Sequence, residues 1–197
     1  QFSGVNTIIY YSPTIFKMAG IVSNTASIIP AIIIGAANVA ACAFSVIMLD
    51  RWGRRKLFLI GISGMIPSLA VLGISFHFGE QLGEMLPYYA AGSIIAFIIF
   101  IAISLAPLGW LLIAEIFPLR TRSLGMSVGS LAHWGFNAIV AFTFLKLVNT
   151  LGVAYTFWSY ALVCVIGLLW GYFYIPETKG KSLEEIEDHW RQGKSAR

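Results

Sequence analysis

Charge is what this sequence has least of. Asp, Glu, Lys and Arg make up 11% of its 197 residues, where a soluble domain carries roughly 25%. Five stretches contain none at all: 18–49, 57–79, 85–114, 123–145 and 147–176. At those depths no fixed counter-charge is available to hold an ionic substrate. Cysteine is nearly absent as well. Cys42 and Cys164 both lie inside apolar runs, which argues against a disulfide framework and for two small buried hydrophobes. His77 and His133 are the only histidines in the apolar segments, and neither has a carboxylate at metal-ligand spacing. Without a nucleophile–base pair or a metal set at depth, an enzyme is not expected, and neither is a metal or a cofactor. An initiating Met, a basic leader and a small-residue cleavage pattern are also missing, so the apolar start does not read as a signal peptide. It reads as the inside of a helix in something larger.

The runs themselves are the main signal. A helix needs about 20 apolar residues to cross the hydrocarbon core. Each run is long enough, and the charge-free segment before Lys17 adds another. The expectation is an all-α membrane protein with six transmembrane helices, at about 1–20, 25–49, 57–78, 87–113, 123–146 and 154–175. Ser12-Pro13 should bend the first helix, and Pro107 with Gly109 should break the fourth. Gly35, Ala36, Ala37, Ala40 and Ala41 should let the second helix approach its neighbours closely, as should Gly125 and Gly129 in the fifth. Pro176 stops the sixth helix. Ser182 and Glu185 then form a capping box for a short amphipathic helix with Leu183, Ile186 and Trp190 on one face. The division is therefore 1–176, membrane, and 177–197, cytoplasmic tail.

The net charge of +4 does not point to nucleic acid, because of where the charge falls. Eleven of the thirteen Lys and Arg sit at Arg51 to Lys56, at Arg120 with Arg122, and from Lys179 to Arg197. The loops between these clusters are almost free of positive charge, with Lys17 and Lys146 as exceptions. The basic loops and the C-terminus are thus expected in the cytoplasm, with the chain in a plasma membrane among its lipids.

Polar residues inside the runs are chiefly Gln1, Asn6, Tyr10, Tyr11, Trp110, His133, Trp134 and Asn137. Amides, hydroxyls and indoles suit a neutral substrate rich in hydroxyls. A hydroxyl donates and accepts, and so does an amide; the C–H face of a pyranose packs on an indole. A neutral imidazole also offers one donor and one acceptor, so His133 can act like an amide. Ser130, Trp134, Asn137 and Ala141 share one helical face, with His133 alongside. Such a stripe belongs against a bundle interior or a wet cavity. Helix–helix bonding is the alternative for Asn137, and an interfacial aromatic belt for Tyr10 and Tyr11. In "DRWGRRK" (50–56), Asp50, Arg54 and Arg55 stand near Glu115, Arg122 and Glu177 in cytoplasmic order. They could form ion pairs that lock one face shut.

"QFSGVNTIIYYSP", "DRWGRRK", "EIFPLRTR" and "PETKGKSLEEIE" follow one another at helix-sized intervals. In that order they resemble the C-terminal half of the sugar porters of the major facilitator superfamily, across essentially the whole chain. The resemblance implies helices seven to twelve of a twelve-helix fold, with an N-terminal six-helix half as partner. It implies that Gln1, Asn6, Tyr10, Trp110, Trp134 and Asn137 surround a sugar. It also implies that Asp50, Arg54, Glu115, Arg122 and Glu177 belong to a cytoplasmic charge network. Two departures stand out: Gly109 follows Pro107 where the family's glycine precedes the proline, and His133 replaces an Asn or Gln. The implied function is transport of a hexose or pentose by alternating access, as a proton symporter or a facilitator. A polyol or inositol carrier and a non-transporting sugar sensor are the alternatives.

Overall fold

The computed structural model describes residues 1–21, 24–117 and 121–175, with only the backbone described at 24–28, 31, 50 and 116. Its helices are α1 (Val5–Met18), α2 (Asn24–Trp52), α3 (Arg54–His77), the short α4 (Gly79–Leu82), α5 (Leu86–Ile103), α6 (Leu105–Ile116), α7 (Arg122–Leu151) and α8 (Val153–Tyr174), with a 3-10 turn at Gly83–Met85. Five spans among the described residues are long and apolar enough to cross a membrane: Ile32–Leu49, Arg54–His77, Gly79–Glu115, Arg122–Leu151 and Val153–Tyr174. α1 has 14 residues, short of a full crossing. The expected amphipathic helix after Pro176 lies outside the described residues.

Proline chemistry decides where the fourth span breaks. Pro107 has no N–H, so the carbonyl four residues earlier loses its helical donor and meets the ring. That carbonyl belongs to Ile103, and α5 ends there. Ser104 turns out of the helix at φ −118° and ψ −86°. Pro107 then sits in the first turn of α6, where a missing N–H costs nothing. The expected break at Pro107–Gly109 is thus displaced toward the N-terminus, and α6 runs straight through Gly109. The freed Ile103 carbonyl is not left bare: Ser45 Oγ on α2 donates to it at 2.5 Å. α1 treats Pro13 differently. The helix continues past it, and Ser12 Oγ donates to the released Ile9 carbonyl at 3.1 Å.

"DRWGRRK" was expected to be a loop, yet helix occupies all of it except Gly53. Gly53 has φ 82° and ψ 166°, a conformation open essentially to glycine alone. One residue therefore reverses the chain between α2 and α3. Gly152, at φ 92° and ψ 161°, does the same between α7 and α8.

α3 is the central helix and packs mainly on α8 and α5. Its small residues let the backbones meet. A Cβ at Gly61 would lie 2.9 Å from the Phe100 carbonyl oxygen and would run into Ser104; one at Gly73 would strike the Trp158 indole. The small residues of α2 do less than expected: Gly35, Ala36 and Ala40 are exposed, and nothing lies within 4 Å of a Cβ built at Gly35. An α2 with apolar residues all round does not reveal from sequence which face meets protein. Gly125 and Gly129 do sit in tight contacts, against Phe117 and Ile113. Gly61→Val is accordingly expected to destabilise the bundle by about 1–3 kcal/mol or more, and Gly35→Val to leave it unchanged. Melting of the two variants in detergent, followed by tryptophan fluorescence, checks this.

Candidate functional site

A left-handed turn starts the site. Gly4 adopts φ 77° and ψ 17° and leads into α1, and its N–H donates to the Gln1 carbonyl at 3.0 Å. A Cβ on Gly4 would lie 2.5 Å from the Tyr160 ring of α8. Only glycine satisfies both constraints, and the turn holds the Gln1 side chain over the end of α1.

Gln1 opens into a cavity of about 370 Å³ bounded by α1, α2, α5, α6 and α7. That volume lies in the range typical of small-molecule sites, roughly 300–1,000 Å³. Polar atoms come from Gln1, Asn6, Asn38, Trp110 and His133, and Ile9, Ile101 and Ile113 supply apolar wall. Among the described residues no Asp, Glu, Lys or Arg lines it. Asn6 Nδ2 donates to Gln1 Oε1 at 3.0 Å. Gln1 Nε2 in turn donates to the His133 ring, 2.7 Å from Nε2 and 3.2 Å from Nδ1. The Trp110 indole leans on His133 with ring centres 4.9 Å apart. Because α6 starts at Leu105, Trp110 falls one turn inside it and faces the cavity beside Gly109, whose missing side chain keeps that wall open.

Three of the expected site residues lie beside this cavity rather than in its wall. Asn137, 7% exposed, donates to Tyr10 Oη at 3.4 Å, and Tyr11 Oη reaches the Ala141 carbonyl at the same distance. These bonds tie α1 to α7. Tyr10 is 53% and Trp134 57% exposed. Trp134 meets His133 edge-on at 5.4 Å from its flank. Helical geometry accounts for Trp134, and Asn137 lies one turn further along α7 against Tyr10: residues four apart differ by about 40° around the axis and adjacent residues by about 100°. His133 and Asn137 therefore point nearly together, and Trp134 points away from His133. Asn38 is the residue the sequence reading passed over. It is an uncharged amide in the middle of the run 18–49, whose other amide, Asn24, stands near the start of the run; this is the same signal that marks Asn6, and the Cys42 thiol lies 3.9 Å from its Oδ1.

Between the start of α3 and the end of α6, Arg54 Nη2 and Nε donate to Glu115 Oε1 at 2.7 and 3.2 Å. The two side chains are 16% and 15% exposed. Arg55 turns elsewhere, donating to the Tyr172 carbonyl at 2.6 Å with its guanidinium 5.7 Å from the Tyr172 ring. Arg122 is half-buried, and its Nε has no hydrogen-bond partner among the described residues. The Asp50 side chain and Glu177 lie outside the described residues.

Comparison with known proteins agrees with this geometry. The chain is 39% identical over 197 residues to the galactose-proton symporter of Escherichia coli strain K12, covering all of this chain and 42% of that protein. It is 37% identical over 187 residues to the D-xylose-proton symporter-like 1 of Arabidopsis thaliana, covering 95% of this chain and 36% of the relative. The chain thus spans less than half the length of these relatives. Among solved structures, the proton:xylose symporter XylE of the major facilitator superfamily, bound to 6-bromo-6-deoxy-D-glucose, matches with a TM-score of 0.84 and 32% identity, over 96% of this chain and 40% of XylE. The family model described as "Sugar (and other) transporter" matches residues 1–190, and with helices, cavity and relatives in accord the chain belongs to that family.

Proposed function

We propose that this chain is the C-terminal six-helix half of a monosaccharide transporter, in which it works by alternating access against an N-terminal six-helix half. The observation that carries this reading is the cavity chemistry. Two side-chain amides in contact, a third across the space, an imidazole and an indole surround about 370 Å³, with no charged side chain among the described residues of the lining. Sugar hydroxyls pair with the amides, and a pyranose face packs on Trp110. The coverage of relatives supports a partner half, since a cavity bounded on one side by this chain needs a second wall. α1 then serves as the seventh helix, completed by residues preceding Gln1.

The names of the relatives support a hexose or pentose carried with a proton in a plasma membrane. Among the described residues no carboxylate lines the cavity, and the coupling group is assigned to the N-terminal half. Residues 177–197 form a cytoplasmic tail. The pair Arg54–Glu115 holds the inner face closed until the halves rock; Asp50, Arg122 and Glu177 are the other charges assigned to this network, of which Glu177 and the Asp50 side chain lie outside the described residues. Uptake of labelled galactose, glucose, xylose, arabinose and inositol by cells expressing the full-length protein tests this. A hexose or pentose is expected to accumulate, and a protonophore to abolish the accumulation. Failure of every sugar to accumulate or exchange overturns the reading.

A further inference from the structure

Asn6, Gln1 and His133 form one hydrogen-bonded chain, and the two amides in it do not fix its direction. In the arrangement present, Asn6 donates to Gln1 and Gln1 donates to the ring. An amide turned end for end keeps its shape and exchanges donor for acceptor. The same side chains then run the other way: His133 donates to Gln1 Oε1, and Gln1 Nε2 donates to Asn6 Oδ1. A neutral imidazole serves either direction by choice of tautomer. An imidazolium has two N–H donors and no acceptor, so only the reversed chain can face it.

We propose that His133 is a specificity-determining residue whose protonation sets the direction of the Asn6–Gln1 chain, and with it whether Asn6 offers the cavity an acceptor or a donor. The proposal rests on reading the cavity as a sugar site. With the ring neutral and the chain as it stands, Asn6 spends an N–H on Gln1 and turns Oδ1 to the ligand. With the ring protonated, Oδ1 is spent and the NH₂ faces the ligand. A sugar hydroxyl answers both states. A C–F group only accepts, so it fits the second state alone.

The ring is met by Gln1, Trp110 and Trp134, none with a titrating side chain. Other groups on the surrounding elements are Tyr10, Tyr11 and Lys17 on α1, Cys42, Asp50 and Arg51 on α2, Glu115 on α6, and Arg122 and Lys146 on α7. Of these side chains only Cys42 lines the cavity.

The test is equilibrium binding of galactose, glucose and xylose to the purified full-length transporter, alongside their monodeoxyfluoro analogues, from about pH 8 to pH 5, the range in which imidazole changes charge. For the analogue fluorinated at the position facing Asn6, affinity relative to the parent sugar is expected to improve about 3- to 10-fold on acidification, the net worth of one neutral hydrogen bond. In His133→Gln, and in His133→Asn as a second variant, that ratio is expected to stay flat. Those variants keep every other titrating group, so a shift that persists in them overturns the proposal. A flat ratio in the parent protein with normal sugar binding also overturns it and leaves the sugar site standing. Absence of sugar binding at every pH overturns the sugar-site reading itself.

Discussion

Arg54→Glu is expected to lower the melting temperature of the purified protein by several degrees and to abolish uptake, and Glu115→Arg in the same chain to restore the melting temperature in full. Arg54 is the first residue of α3, and Glu115 is next to last in α6. A helix carries partial positive charge at its N-terminus and partial negative charge at its C-terminus. Both residues therefore sit at the end their charge disfavours, and the pairing at 2.7 Å offsets that cost. With side chains only 16% and 15% exposed, removing one partner leaves the other largely out of water. Breaking a fully buried pair costs about 3–5 kcal/mol; about 2–3 kcal/mol remains after allowance for the residual exposure. Two facing carboxylates make the single variant worse.

The exchanged pair is better placed than the native one, because Glu at the start of α3 and Arg at the end of α6 both suit the helix dipoles. If the pair locks the inner face, the double variant holds that lock at least as tightly. Stability then returns fully and uptake only in part. Thermal melting beside initial uptake rates separates the two roles. Recovery of both in step would make the pair a structural tie, and additive damage in the double variant would sink the pairing itself.

How far the sequence could be read follows from the range of each interaction. The spans were legible because a run without charge is local and a bilayer needs only length. The break near Trp110 was visible but misplaced: the eye goes to Pro107, and the bond it removes ends on Ile103. The tight turn at Gly53 was legible, but the charges around it read as loop, whereas one glycine at φ 82° reverses the chain and helix continues on either side. Among the polar candidates, Gln1, Asn6, Trp110 and His133 do meet in one cavity. Trp134 was grouped with them by its helical spacing and by the family resemblance, although one residue along a helix turns its side chain by about 100° from that of His133. Asn38 needed only the rule already applied to Asn6. The Arg54–Glu115 partnership spans 61 residues, and among several charges near these helix ends nothing local selects it. Membership of the sugar transporter family came from four ordered motifs, which survive errors in any single boundary.

Gln1→Leu is expected to cost about 10- to 100-fold in sugar affinity while leaving the melting temperature close to that of the parent. Leucine has nearly the volume of glutamine, so the wall beside α1 keeps its shape. What disappears is the middle of the polar chain. Gln1 is the only one of the three that bonds both others, accepting from Asn6 and donating to His133. Its loss removes two partners at once and any bond it makes to the ligand; Asn6 and His133 are half-buried, so water meets them in the open cavity, and each group left unmatched once the sugar covers it costs about 1–3 kcal/mol of binding. Every 1.4 kcal/mol is a factor of ten in binding. Asn6→Leu is the informative contrast. Asn6 ends the chain, so its removal leaves the Gln1–His133 bond intact, and the loss should be several-fold smaller. Competition of unlabelled against labelled sugar on the purified full-length protein measures both. Equal losses would mean that each amide acts on the sugar independently, and parent-like affinity in Gln1→Leu would remove Gln1 from the site altogether.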